Sequence, residues 1–165
     1  MTITLRRADP DDWRIYRELR LQALREEPQA YASTLDRELQ LTDQQWRSGL
    51  GKAVTVLAFR GEELIATATG IWQGDGDMMI VAMYVVPHAR GRRLAVRLID
   101  EIAEAAMAGG GRQLLLDLAE GNAAAEHSYR RYGFVSTGRS RPMERDPSIM
   151  ESRFAYPLGD PCETP

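Results

Sequence analysis

The stretch MMIVAMYVVPHARGRRLAVRLIDEIAEAAM, residues 78–107, decides how the chain is read. Residues 78–86 are almost entirely apolar and end at Pro87, which lacks a backbone N–H and restricts the residue before it, so a strand should stop there. A basic turn follows, His88-Ala89-Arg90-Gly91-Arg92-Arg93. Leu94, Leu98, Ile102 and Ala106 then recur four apart, with Ala95, Ile99 and Ala103 beside them, which predicts a helix with one apolar stripe. Arg92, Arg93, Arg97, Asp100, Glu101 and Glu104 fall on the other side, and Gly109-Gly110-Gly111 should stop the helix. A helix N-terminus presents unpaired N–H groups and the positive end of the helix dipole. Gly91 lets an anion approach the backbone, and three arginines add charge-assisted donors that suit phosphate oxygens. Taken alone, the turn reads either as a phosphate cradle or as a solvated basic turn before an ordinary helix.

The bulk properties narrow the class. A chain of 165 residues, 44% hydrophobic and 27% charged, predicts one globular domain with a substantial core. A net charge of −3 does not suggest nucleic acid or an anionic membrane as a partner. No apolar run reaches transmembrane length, and the N-terminus meets Arg6 and Arg7 too soon for a signal peptide. Cys162, the single cysteine, excludes an internal disulfide and fits a reducing compartment, so a cytoplasmic location is expected.

Outward from the central stretch, the pattern divides into strands and helices. Residues 2–7 alternate as a short strand; Asp9-Pro10-Asp11-Asp12 starts a helix that should end before Pro28. Tyr31, Leu35 and Leu39 suggest some helix, and Thr42-Asp43-Gln44-Gln45 has the form of a capping box opening a short helix that ends at Gly51. Residues 54–59 and 64–72 read as strands joined by turns to one another and to 78–86, an antiparallel meander. Residues 113–118 form a strand reached through a helix, hence parallel to its predecessor. Asn122 can cap a helix over 123–132, with Gly133 at its end; 134–137 and 153–158 are the last strands, with 139–149 a loop between them. The expected fold class is α+β: a mixed, mostly antiparallel sheet flanked by helices on both faces. Residues 1–158 should form one domain and 159–165 a tail.

Val85-Val86-Pro87 with Arg90-Gly91-Arg92-Arg93-Leu94-Ala95 resembles the acetyl-CoA-binding motif of the GNAT superfamily of N-acetyltransferases. That motif reads Gln or Arg, two residues, Gly, one residue, then Gly or Ala. Arg90 fills its first position and Ala95 its last, while Arg93 stands where the family has Gly. Asn122, Ala125, Tyr129, Gly133 and Phe134 resemble the family's later motif at all five positions, about thirty residues on, and the element order is similar across nearly the whole chain. The resemblance implies acetyl-CoA as cosubstrate, its pyrophosphate at Arg90, Gly91, Arg92, Arg93, Leu94 and Ala95. It also implies that the pantetheine arm pairs with the backbone of Tyr84, Val85 and Val86, where one N–H would stabilise the oxyanion of acyl transfer. Asn122 would bond the same arm as well as cap its helix. Tyr129, two turns on along the same face, would protonate the departing sulfur. A thiol near pKa 8.5 and a phenol near 10 make that proton transfer nearly balanced. Read without the family, Tyr129 is a core aromatic, and Tyr132 serves core or surface.

A lysine-like amine with a pKa near 10.4 is only about one part in a few thousand neutral at pH 7, so an acceptor amine calls for a general base or a water relay to one. Asp117, five residues before Asn122, matches the position of a catalytic Glu in some family members; Glu120 and Glu38 are further candidates, and His127 and His88 weaker ones. The alternative for each acid is a solvated surface charge. Two histidines and one cysteine without ligand-like spacing give no expectation of a metal. The expected activity is N-acetyl transfer to a primary amine of a small molecule by direct attack in a ternary complex, without an acyl-enzyme. A protein N-terminal or lysine amine is the alternative acceptor, and an acetyl-CoA sensor or another nucleotide-phosphate binder the alternative class. A homodimer is compatible with the resemblance.

Overall fold

A computed structural model describes residues 2–159; Met1 and residues 160–165, with Cys162 and most of the expected tail, lie outside the described residues. The strands are β1 (Ile3–Arg7), β2 (Val54–Arg60), β3 (Glu63–Gly74), β4 (Asp77–Val85), β5 (Gln113–Ala119), β6 (Val135–Pro142) and β7 (Met150–Pro157). They form one seven-stranded sheet in the order β1-β2-β3-β4-β5-β7-β6. Every neighbouring pair is antiparallel except β4 and β5, which the helical crossover makes parallel. The helices are α1 (Trp13–Glu26), α2 (Leu35–Leu39), α3 (Asp43–Lys52), α4 (Leu94–Ala108) and α5 (Ala123–Tyr132).

Two adjacent residues of β3 show that both faces of the sheet are covered. Side chains alternate along a strand. Thr69 lies against Tyr16 of α1, whereas a Cβ on Gly70 would come within 2.9 Å of Ile102 in α4. The absent side chain at Gly70 lets α4 sit close on that face. α5 shares this face, since Tyr132 of α5 donates to Asp100 of α4 at 2.7 Å. The apolar stripe of α4 is buried as its spacing predicts: Leu94, Leu98, Ile99, Ile102, Ala103 and Ala106. Each large aliphatic side chain so buried contributes about 1.5–3 kcal/mol.

Local signals account for most boundaries. Thr42 and Gln45 form the predicted capping box of α3. Asp9 and Asp12 form another, but it caps a single 3-10 turn, Pro10–Asp12, that leads into α1. Gly51 lies inside α3, which runs one residue further to Lys52. The larger correction concerns residues 139–149. Residues 139–142 extend β6 rather than form a loop, and β7 begins at Met150. β6 is an edge strand whose every residue is exposed, so it carries no apolar alternation to betray it. Phe134 is not strand but core, 1% exposed beneath Tyr129, Tyr132 and Tyr156.

β4 and β5 pair through only three residue pairs, Asp77↔Gln113, Met78↔Leu114 and Met79↔Leu115. Beyond them the strands part. On its other side β4 carries a bulge: Thr69 pairs with Val81 and Thr67 with Tyr84, so Ala68 faces both Ala82 and Met83. Ala82 sits at φ 55°, a left-handed conformation unusual for a residue with a Cβ. A bulge bends its strand and increases its twist, which carries β4 away from β5.

Leu98 is fully buried between α4 and the sheet. Leu98→Ala should cost about 2–5 kcal/mol of unfolding free energy, read from urea denaturation, through lost transfer energy and a residual cavity.

Candidate active site

The gap between β4 and β5 holds a cavity of about 1380 Å³ that is lined from both faces of the sheet. Gly91, Arg93, Ala95, Asn122, Ala125 and Tyr129 line it on the α4–α5 face. Phe154 of β7 lies under Arg130 of α5 and pairs with Leu116 on β5, so these two side chains also face α5. The alternating residues Asp117 and Arg153 therefore point to the opposite face, where Arg20, Tyr31, Ser33 and Arg141 also line the cavity.

Backbone polarity along β4 follows the same alternation. The Val86 N–H donates to Ile65 O of β3 at 2.9 Å, so even-numbered residues there direct their amides into the sheet. Met83 and Val85 direct theirs into the gap. Met83 O accepts from the Tyr31 hydroxyl at 2.9 Å, and Val85 O from Arg90 Nε at 3.0 Å. Of the three residues singled out from the sequence, Val85 presents its backbone to the cavity. Val86 is engaged with β3, and Tyr84 pairs with Thr67, its ring buried and its hydroxyl bound to Glu26 and Gln22. Met83 was not singled out; counting in twos from Val85 is the signal that finds it.

The N-terminus of α4 opens onto the cavity without a side-chain cap. Arg93 occupies the cap position at φ 57°, ψ 26°. It keeps the left-handed backbone that a glycine would adopt freely, at a cost of about 1–2 kcal/mol, and its side chain is exposed. Leu94, Ala95 and Val96 follow as the first turn, whose N–H groups have no partner within the helix. No acidic residue stands in that turn. Arg90 reaches back to Val85 O and to Glu27, at 2.8 Å. Arg92 is exposed and does not line the cavity.

α5 delivers the second set of residues. Asn122 caps it, its side chain accepting from the Ala125 N–H at 3.3 Å. Tyr129 lines the cavity two turns later and packs edge-on against Phe134. Gly133 at φ 124° turns the chain so that the Phe134 N–H returns to Tyr129 O. Burial pushes the Tyr129 phenol up to about 12, so it is protonated at neutral pH, as an ordinary phenol is, and its transfer of a proton to a thiolate is less balanced than a phenol near 10 would make it. Tyr132 instead turns to Asp100, and burial, with the Asp100 carboxylate adding to it, pushes its phenol up as well.

The candidate acids separate by their partners. Asp117 lines the cavity, with Arg153 donating to both its oxygens at 2.8 and 2.9 Å and Arg141 approaching at 3.4 Å. Arg141 also donates to the buried Glu151 at 2.8 Å. The four form a charge ladder across β5, β7 and β6, set by the registers Asp117↔Arg153 and Arg141↔Glu151. Glu120 is exposed and outside the cavity lining. Glu38 is buried in a forked pair with Arg20, whose guanidinium stacks over Tyr31 at 4.7 Å from the ring centroid. His88 pairs with Glu63, and His127 is exposed at the cavity wall. Glu151 and Arg153 were not singled out from the sequence, because only the pairing register of β5, β7 and β6 brings them beside Asp117 and Arg141; Tyr31, expected on a helix, is instead extended in the connection between α1 and α2. Among the described residues no group of three or more His, Cys, Asp or Glu is arranged to hold a metal, and no helix is long and apolar enough to cross a membrane.

Two outcomes follow from these contacts. Glu38→Ala leaves a buried guanidinium without its partner and should lower stability by about 3–5 kcal/mol in chemical denaturation. Arg93→Gly relieves the left-handed strain and should raise stability by about 0.5–1 kcal/mol, the gain being reduced by the greater freedom of glycine in the unfolded chain.

Comparison with known proteins agrees with this geometry. The family model described as the acetyltransferase (GNAT) family matches residues 14–134. No curated protein matches the chain. Among solved structures, an acetyltransferase of the GNAT family from Streptococcus pneumoniae superposes with a TM-score of 0.83 at 21% identity, covering 96% of this chain and all of that one. The yncA structure from Salmonella typhimurium, solved with its cofactor acetyl-CoA, gives 0.78 at 16% identity, over 100% and 99% of the two chains. The ribosomal-protein-S18-alanine N-acetyltransferase from Escherichia coli gives 0.70 at 17% identity, over 99% of each. With the family model spanning well over half of the sequence, and an open helix N-terminus and a parted strand pair where that family's motifs fall, the chain belongs to the GNAT family of acetyltransferases.

Proposed function

We propose that the protein transfers the acetyl group of acetyl-CoA to a primary amine, foremost that of a small molecule, by direct attack in a ternary complex. The observation that carries this reading is the parted β4–β5 pair, whose cavity joins the uncapped N-terminus of α4 to the protonated hydroxyl of Tyr129. Acetyl-CoA supplies the activated acyl group; the chain's residues hold, polarise and protonate. The first-turn N–H groups of α4, with Arg90, Gly91 and Arg93 beside them, suit the pyrophosphate. The Val85 and Met83 amides, facing the gap, suit the pantetheine arm, and Asn122 stands opposite. An N–H of β4 then donates to the acetyl oxygen as negative charge grows on it.

Tyr129 gives its proton to the sulfur as the thiol departs. Of the acids Asp117 and Glu120, only Asp117 lines the cavity. Held by Arg153, it attracts the acceptor's ammonium group and takes up the proton that the nitrogen loses, directly or through water. The amine attacks from the α1 face while the thioester is held from the α4–α5 face, so the two substrates meet through the slit in the sheet. A cytoplasmic setting belongs to the same reading. A protein N-terminus or lysine is the second acceptor class, and a neighbour of similar fold bears the name of such an enzyme.

Calorimetric titration with acetyl-CoA, with free thiol followed against a panel of amines, tests the function. Binding with amine-dependent thiol release is expected; binding without release from any amine would point to a sensor, and no binding would remove the reading. Tyr129→Phe should retain acetyl-CoA affinity and lose about 10²–10⁴ in kcat. Because the phenol is held near 12, the Tyr129-dependent part of kcat should persist as the pH rises to about 11, above which its ionisation removes the proton to be given. Asp117→Asn should lower kcat at constant acetyl-CoA affinity.

A further inference from the structure

A second cavity, of about 390 Å³, lies at the edge of the sheet. It shares Asp117, Arg141, Glu151 and Arg153 with the main cavity, so the two adjoin along the charge ladder. Arg139 and Ser140 of β6 line only the smaller one. A bulge shapes this part of β6. Ser136 pairs with Phe154 and Ser140 with Ser152, so residues 137–139 stand against Arg153 alone, with Gly138 at φ 78° among them. The Thr137 hydroxyl donates to Arg153 O at 3.0 Å and accepts from the Arg139 N–H at 3.2 Å, which folds the bulge back onto β7.

The wall of this smaller cavity carries three arginines against two carboxylates. Arg153 donates to both oxygens of Asp117, and Arg141 donates through Nε to Glu151. Each carboxylate is therefore matched by a guanidinium. Arg139 is the third arginine; it is exposed, and its guanidinium has no carboxylate partner among the described residues. The charge left unmatched is positive. Arg141 is itself 66% exposed along its side chain, and its Nη1 has no partner among the described residues. The Ser140 hydroxyl stands between the two arginines in sequence and lines the same wall. These three are donors at one place, and the planar fork of a guanidinium matches the two oxygens of a carboxylate or phosphate.

We propose that the smaller cavity is a subsite for an oxyanion carried by the acceptor, a carboxylate or a phosphate held by Arg139, Ser140 and Arg141. The acceptor is then an amine that bears its own negative group. This rests on the acetyl-transfer reading above: the amine stands at Asp117 in the main cavity, and the oxyanion lies across the ladder. β5, β7 and β6 run side by side, which sets the β6 wall two strand spacings, about 10 Å, from the backbone of Asp117. An amine and an oxyanion joined by a flexible chain of several bonds occupy both places. A neutral amine leaves the Arg139 charge unmatched, and a second cationic group on the acceptor is repelled by it. The subsite therefore selects by the charge at the far end of the acceptor.

The test uses the full-length protein with saturating acetyl-CoA, thiol release as the readout, and acceptors paired so that their amines are of similar basicity. δ-Aminovalerate is set against the amino alcohol of the same length, and aminopropyl phosphate against aminopropanol. In at least one pair the anionic member should have a kcat/KM about tenfold above its alcohol, through KM, and added salt should shrink the difference. The pair that shows it tells a carboxylate site from a phosphate site. Arg139→Ala should abolish the preference while the alcohols and the acetyl-CoA affinity, read by calorimetry, stay as in wild type. Arg139→Lys keeps the charge and should keep most of the preference, and Arg139→Glu should reverse it. Arg139 is exposed, so these variants should fold, which circular dichroism checks. Equal kcat/KM for anion and alcohol in wild type, or a preference that survives Arg139→Ala, overturns the proposal alone. So does thiol release from other amines of the panel but from neither anionic acceptor. Release from no amine at all overturns the acetyl-transfer reading and this proposal with it.

Discussion

The parting of β4 from β5 after three residue pairs is the constraint on which the site depends. A continuous parallel ladder would consume the backbone groups of both strands and leave no passage through the sheet. The bulge at Ala82 prevents that continuity by spending an extra residue on β4 and bending it away. Non-glycine residues in left-handed backbone are uncommon, and Ala82 and Arg93 both line the cavity, one shaping the strand and the other the helix entrance. The core supports both: α4 is anchored by its buried stripe, so its N-terminus is held where the gap opens.

Around that gap, polar side chains fix the walls rather than float in solvent. Arg90 ties β4 to Glu27, Tyr31 ties the α1–α2 connection to Met83, and Asn122 orders the first turn of α5. The charge ladder from Asp117 to Arg141 does the same for β5, β7 and β6. Exposed ion pairs contribute little to stability. These are partly shielded and multiply bonded, and their consequence is positional: they set which groups face the acceptor side.

Much of the fold was legible because local rules agreed with one another. The four-residue apolar repeat of α4, the capping box at Thr42, the Asn122 cap and the Gly133-Phe134 ending each name an element by a short-range physical cause. β6 was only partly legible because an edge strand with both faces in water needs no hydrophobic pattern. The two motifs pointed to acetyl-CoA, and the structure brings Arg90, Gly91, Arg93, Asn122 and Tyr129 to one cavity. Arg92, between Gly91 and Arg93, lies outside it, since one step along the chain changes the direction of a side chain; Glu120, just past the end of β5, lies outside it as well.

The sequence by itself determined the order of elements, the apolar face of α4 and the two motifs that resemble those of the acetyltransferase family, because periodicity, capping and motif spacing act over a few residues. Only the tertiary structure decided that Met83 shares the gap with Val85, that Asp117 is held by Arg153, and that Arg145 closes on Tyr31. Those facts depend on the register of strands and the meeting of segments up to 114 residues apart, which no local pattern encodes.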